Sequence, residues 1–300
     1  MLLFSALALA QSPPSLVPPP IVGGELDLEN PAVGMVAWFD DVGGYIFCSG
    51  TVIEPQWVLT SASCAELVQT YLDEDLSVDL LLGLNLSQLD EQIAVEAGFP
   101  YPQWDHVGSD VGVLRLASPA QVTPAPWNRG AISSEYEGST LSYVGFGISQ
   151  SSASDAGFRR VTQVPLLRLT ARAVWGYHDD IDAPKGICEQ DFGGPTLLSL
   201  DGVPTVVGVN AEVLQDGESS DPCKGYAISA RTDVHAGWVD ELTLGLIDTG
   251  SMDSGPEELV FETEPQDCGG CGGGRSPFGP ALVLAGLALL CRRKSGAVAL

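Results

Sequence analysis

The chain has 300 residues, and its 39 Asp and Glu outweigh its 13 Lys and Arg to leave a formal charge of −26. A hydrophobic content of 45% supplies ample material for a core and argues against wholesale disorder. No Lys or Arg precedes Arg115, so the basic surface that neutralises phosphates is missing and nucleic-acid binding is excluded. The acidic excess reads as a solvated surface. The sharper alternative is an acidic face that captures a basic partner.

In chain order, MLLFSALALA at residues 1–10 is an apolar run whose Ala8-Leu9-Ala10 ending suits a signal peptidase, so it reads as an export signal. The alternative, a buried strand or helix, is disfavoured by the prolines of QSPPSLVPPP, which make residues 11–20 an extended pro-segment. Residues 21–245 carry many short Val/Ile/Leu/Tyr runs, such as VGVLRLASP and PTVVGVNAEV, broken by Gly, Pro, Asp and Ser. That pattern predicts an all-β barrel or sandwich. One helical pattern stands out in DVHAGWVDELTLGL, where Val234, Trp238 and Leu242 fall four apart. Residues 246–267 hold seven acids and no base, and read as an extended, solvated stalk.

Residues 268–300 begin with Cys268 and Cys271 in a glycine-rich motif, continue as an apolar run from Pro277 to Cys291, and end in a basic cluster, Arg292-Arg293-Lys294. The run is shorter than the roughly 20 residues of a permanent membrane span. The basic cluster should stay cytoplasmic, leaving the globular part outside. This layout resembles the tripartite sorting signals of bacterial surface proteins, and among them the cysteine-containing MYXO-CTERM type. The resemblance implies contact with the membrane through the apolar segment and a surface-sorting protease that processes the tail. The alternatives are a plain tail anchor and a zinc site at Cys268 and Cys271. The latter lacks the two further ligands that structural zinc needs, so no metal or other cofactor is expected. The location implied is secreted, at the cell surface or associated with the outer membrane.

Within residues 21–245, four stretches occur in a telling order: IVGG from Ile21, CSGTVIEPQWVLTSASC from Cys48 to Cys64, DVGVLRL from Asp110, and CEQDFGGP from Cys188. With YVGFG at 143–147 and HAGWVDEL near the end, they resemble the trypsin/chymotrypsin-like serine peptidases over the whole of this region. The resemblance implies a chymotrypsin-like fold. Two six-stranded antiparallel β-barrels should flank a cleft and a C-terminal helix should follow, here with a short hydrophobic anchor segment appended. It also implies disulfides Cys48–Cys64 and Cys188–Cys223.

Peptidase chemistry in this family needs a serine nucleophile, a histidine base and a buried aspartate that orients the imidazole. By resemblance the aspartate is Asp110. The family's TAAHC reads TSASC here, so Ser63 stands in the histidine slot, and Phe192 stands in the serine slot. Serine is no base at neutral pH and a phenyl ring cannot attack a carbonyl. Losing triad members costs roughly 10⁴- to 10⁶-fold in rate.

The surrounding positions depart as well. Gln190 fills a glycine slot beside the oxyanion hole and is expected to exclude conformations reserved to glycine. The segment that lines the specificity pocket reads Ala211-Glu212-Val213, with Val213 narrowing the entrance, and Gly186 at the base offers no acid to a basic side chain. Asp191 is retained, and the resemblance assigns it to the α-ammonium of Ile21 after cleavage. Pro20 before Ile21 is a poor site for trypsin-like activators, so either an unusual protease cuts there or the chain stays uncut, and the second is the reading preferred. Of the three histidines, His106 has a functional reading as a displaced base and a plainer one as a loop residue. His178 and His235 read as structural or solvated. Ser49, Ser61 and Ser63 read as hydrogen-bonding residues, with Asp110 bonded to Ser63. The expectation is a non-catalytic peptidase homologue that binds a protein or peptide at the vestigial cleft. The alternative is an active serine endopeptidase with rewired catalytic residues.

Overall fold

The computed structural model describes residues 21–104, 109–151, 153–177, 185–215, 217 and 221–246. The export signal, pro-segment, stalk and sorting tail therefore lie outside the described residues, as do His106 and His178. Among the described residues there are thirteen strands, twelve of which form two antiparallel barrels. After a two-residue strand β1 (Glu25–Leu26), the first barrel uses β2 (Val33–Phe39), β3 (Gly44–Glu54), β4 (Trp57–Thr60), β5 (Ser77–Asn85), β6 (Gln88–Pro100) and β7 (Gly112–Leu116), closed in the order β2-β3-β4-β7-β6-β5. The second uses β8 (Thr140–Gly145), β9 (Arg160–Leu169), β10 (Ala173–Gly176), β11 (Pro195–Leu200), β12 (Val203–Leu214) and β13 (Tyr226–Arg231). A β8–β9 pairing closes it, and β1 is added to the outer edge of β9. The expected double six-stranded barrel is the fold observed.

Period-two alternation drives each barrel. Along β9 the residues Arg160, Thr162, Val164 and Leu166 turn inward while their neighbours face out. The first core gathers Val36, Val52, Leu80, Ile93 and Leu114, and the second gathers Leu141, Tyr143, Leu166, Val174 and Val207. The two disulfides implied by the resemblance are present, with Cα separations of 6.1 Å for Cys48–Cys64 and 4.7 Å for Cys188–Cys223. Their sequence separations of 16 and 35 residues correspond to about 3 and about 4 kcal/mol of restricted unfolded-chain entropy.

Helix α1 (Ala62–Asp73) is an element the sequence pattern did not announce. Its start is Ser-Ala-Ser-Cys, small residues with weak apolar periodicity. It forms because Ser61 caps it, accepting from Cys64 N at 3.2 Å, and because Ala62, Cys64, Ala65 and Val68 bury against the first barrel. The contact with β6 is close: a Cβ on Gly98 would lie 2.2 Å from Ala65 O.

Helix α2 (Thr232–Thr243) lies where the helical pattern placed it, but with a different face inward. Val234 is 47% exposed, and the buried residues are Thr232, His235, Ala236, Val239 and Leu242. The polar His235 can be buried because its Nδ1 meets Arg231 O at 2.8 Å and its ring stands edge-on to Tyr101 at 4.7 Å. His235 is thus a structural residue.

Gly98→Ala should drive a methyl group into the α1 backbone. It is expected to cost about 2 kcal/mol or more, read as a lowered urea midpoint at unchanged m-value.

Candidate active-site cleft

The junction of β4 and α1 brings Ser63 onto Asp110. Ser63 N donates to Asp110 Oδ1 at 2.8 Å and Ser63 Oγ donates to Oδ2 at 3.1 Å. Ser63 Oγ also lies 3.0 Å from Ser61 Oγ. Asp110 is 5% exposed, and the first turn of α1 presents backbone N–H groups that favour its negative charge. The carboxylate that would orient an imidazole here grips a short hydroxyl side chain and the helix backbone.

The loop 188–195 is anchored to both barrels. Phe192 O accepts from Ser49 N at 2.9 Å, and Cys64 Sγ lies 3.6 Å from the same oxygen. Gly193 (φ +84°) sits where a Cβ would be 2.2 Å from Thr60 Oγ1 and 2.3 Å from Ser49 O, so only glycine lets the barrels meet there. On the second barrel, Gly193 N donates to Asn210 O and Asn210 N to Gly194 O, each at 2.8 Å. Asn210 Nδ2 donates to Asp191 O at 3.2 Å, and Thr196 Oγ1 donates to Asn210 Oδ1 at 2.9 Å. Asn210 is fully buried, and no motif in the sequence pointed to it.

Phe192 is half-buried and packs against the core clusters of both barrels. Gln190 corrects one expectation. It adopts φ +66°, the left-handed region that favours glycine, rather than excluding it. This conformation costs a non-glycine residue about 1 kcal/mol. It is held by Ser49 Oγ donating to Gln190 O at 2.8 Å and by Gln190 Nε2 donating to Tyr45 Oη at 3.1 Å.

Tyr45 belongs to a rim that sequence reading missed. Trp38, Tyr45, Phe47 and Tyr71 are half-buried, with ring centroids 5.1 Å apart for Phe47–Tyr71, 5.9 Å for Trp38–Tyr71 and 6.4 Å for Trp38–Tyr45. These rings come from β2, β3 and α1, and the only local signal is the alternation of Tyr45 and Phe47 along β3.

Of the specificity-pocket positions, Gly186 is buried and bridged to Val22, with Gly186 N donating to Val22 O at 3.1 Å. Ala211 lies at the register shift of β12 against β13, between the paired Asn210 and Glu212. Val213 is half-buried against the same second-barrel core as Phe192. Among the described residues no group of His, Cys, Asp and Glu is arranged to hold a metal ion.

Asp191 is fully buried, its Oδ1 accepting from Gly147 N at 2.7 Å and its Oδ2 from Cys188 N at 2.9 Å. Burial pushes its carboxyl up to about 7, against the lowering effects of those two N–H donors and of Arg160. Ile21 is fully buried with φ +51°, and in the uncut chain its nitrogen is the amide of the Pro20–Ile21 bond and carries no charge. The ammonium partner that the resemblance assigns to Asp191 is therefore not available before cleavage.

A carboxyl with a folded pKa of about 7 and an ordinary value of 3.8 binds its proton more tightly in the native state. Its stabilising contribution is complete below about pH 4 and is lost as pH rises through about 7. In urea titrations of the uncut chain across this window, Asp191→Asn should flatten the decline of stability with pH. An unchanged slope would contradict the assignment.

Comparison with known proteins agrees with this geometry. The chain matches the family described as Trypsin over residues 21–239. It is 30% identical over 190 residues to Brachyurin from Leptuca pugilator, covering 58% of this chain and 80% of that protein. It is 24% identical over 247 residues to chymotrypsin-like elastase family member 1 from Bos taurus, covering 73% of this chain and 88% of that one. A family match over more than half the chain, carried on two closed barrels with the loop 188–195 between them, establishes that this protein belongs to the trypsin family.

Proposed function

We propose that this trypsin-family chain is a secreted, surface-displayed binding module that has lost peptidase chemistry. The observation that carries the reading is the pair of substitutions at the cleft. Ser63 Oγ is committed to Asp110, and Phe192 packs against the cores of both barrels. Hydrolysis by this fold needs a base that takes a proton from a nucleophile and returns it to the leaving amine. Neither side chain has that chemistry. The half-buried Phe192 and Val213, the polar Gln190 and the aromatic rim offer instead a surface suited to an extended protein or peptide segment. Display at the surface rests on the apolar N-terminus, the two disulfides and the sorting-signal layout of residues 268–300.

The competing reading is an active serine endopeptidase with rewired residues. What favours it is the retained scaffold: a buried, hydrogen-bonded Asp110 and a fully formed Asp191-Phe192-Gly193-Gly194 loop.

A serine-directed fluorophosphonate probe and a casein assay on the purified chain separate the two. No covalent labelling and no turnover above buffer are expected. Labelling with turnover that one substitution abolishes would overturn the proposal. Phe192→Ser alone is expected to leave activity at least about 10⁴-fold below a competent triad, because the base is still absent. Activity gained from that single change would reveal a base elsewhere in the cleft.

A further inference from the structure

Arg160 is the largest fully buried side chain among the described residues, at 1% exposure. It occupies the first inward position of β9, in direct register with Gly145 of β8. Residues directly opposite on neighbouring strands turn their side chains to the same face. A Cβ on Gly145 would stand 2.3 Å from Asp191 Oδ1, so that face is the one against which Asp191 lies. Register and close approach together put the guanidinium and the carboxylate on one side of the β8–β9 pair.

Two further observations bear on the role of Arg160. Its Nη1 donates to Asp155 O at 3.3 Å and Phe158 O at 3.2 Å, and its Cζ lies 4.6 Å from the Phe158 ring centroid, while the buried Nη2 has no hydrogen-bond partner. These partners are neutral, and a buried charge needs a counter-charge. Asp155, half-buried, and Asp191, fully buried, are the two acids that act on it. Asp191 for its part has two N–H donors but no ammonium, since Ile21 N is a peptide amide in the uncut chain.

We infer that Arg160 is a built-in counter-cation for Asp191, holding the loop 188–195 in its formed conformation without cleavage at Pro20–Ile21. It acts through its field across the buried interior rather than by a direct ion pair: the carboxylate oxygens accept from Gly147 N and Cys188 N, and Arg160 donates to Asp155 O and Phe158 O. The direction of mutual influence agrees: Arg160 lowers the Asp191 carboxyl, and Asp155 and Asp191 raise the guanidinium against its burial. The consequence is a trypsin-family domain whose conformation is independent of N-terminal processing, whether or not its cleft is catalytic.

The test is amide hydrogen exchange of Gly147, Cys188 and Gly194 in two forms of the full chain. One is uncut; the other is cut before Ile21 at an enteropeptidase site replacing residues 16–20. In the uncut chain, Arg160→Met should speed exchange of these amides about tenfold or more, while Arg160→Lys keeps them protected. In the cut chain the new ammonium takes over, and the effect of Arg160→Met should shrink. Equal acceleration in both forms, or none in the uncut form, would overturn the inference. If Arg160→Met does not fold, Arg160→Gln replaces it beside Arg160→Lys. Protection by lysine but not glutamine supports the role, and equal loss with both refutes it. Peptidase activity enters none of these readouts, so their outcome is separable from that of the non-catalytic reading.

Discussion

The junction between the barrels depends on one close approach, Gly193 against Thr60 and Ser49. There the backbone of the loop 188–195 lies so near β3 and β4 that a single added carbon would collide with both. Ser49 reinforces the contact three ways, donating its N–H to Phe192 O and its hydroxyl to Gln190 O while accepting from Phe146 N. Asn210 holds the other side of the loop. The loop is therefore a structural weld as well as the place where a nucleophile would stand. That double role explains how its glycines, its aspartate and its cysteine can stay while the residue at its tip becomes phenylalanine.

The same logic applies to Asp110. A buried carboxylate needs hydrogen-bond donors, and the first turn of α1 supplies them through Ser63. A triad aspartate can be retained for this structural reason alone, so its presence carries less information about catalysis than the residues it faces. Phe192 ties the cleft to both barrel cores by apolar contact.

The fold was legible because its motifs sit where three-dimensional demands are strict. Cysteine pairs, Gly193-Gly194 and the Ile21 segment tolerate few alternatives, and their order along the chain identifies the architecture. Other features were hidden for physical reasons. The start of α1 is written in small residues whose helicity comes from a cap and from packing rather than from periodicity. The inward face of α2 joins the polar Thr232 and His235 to Ala236, Val239 and Leu242, a mixed set that the spacing of Val234, Trp238 and Leu242 does not pick out. Gln190 adopts a backbone state its residue type disfavours because Ser49 and Tyr45 hold it there. No sequence signal singled out Arg160, whose burial follows from its inward register on β9, and the aromatic rim is pooled from three elements that only the fold brings together.

The central claim is that the cleft lacks both a nucleophile and a base while the scaffold around it is intact. Pre-steady-state mixing of the purified chain with an activated ester addresses it most directly, because acylation of a nucleophile appears as a burst before turnover. The account predicts product release indistinguishable from the buffer reaction, with no burst. A burst stoichiometric with protein, removed by substituting one side chain of the cleft, would contradict it.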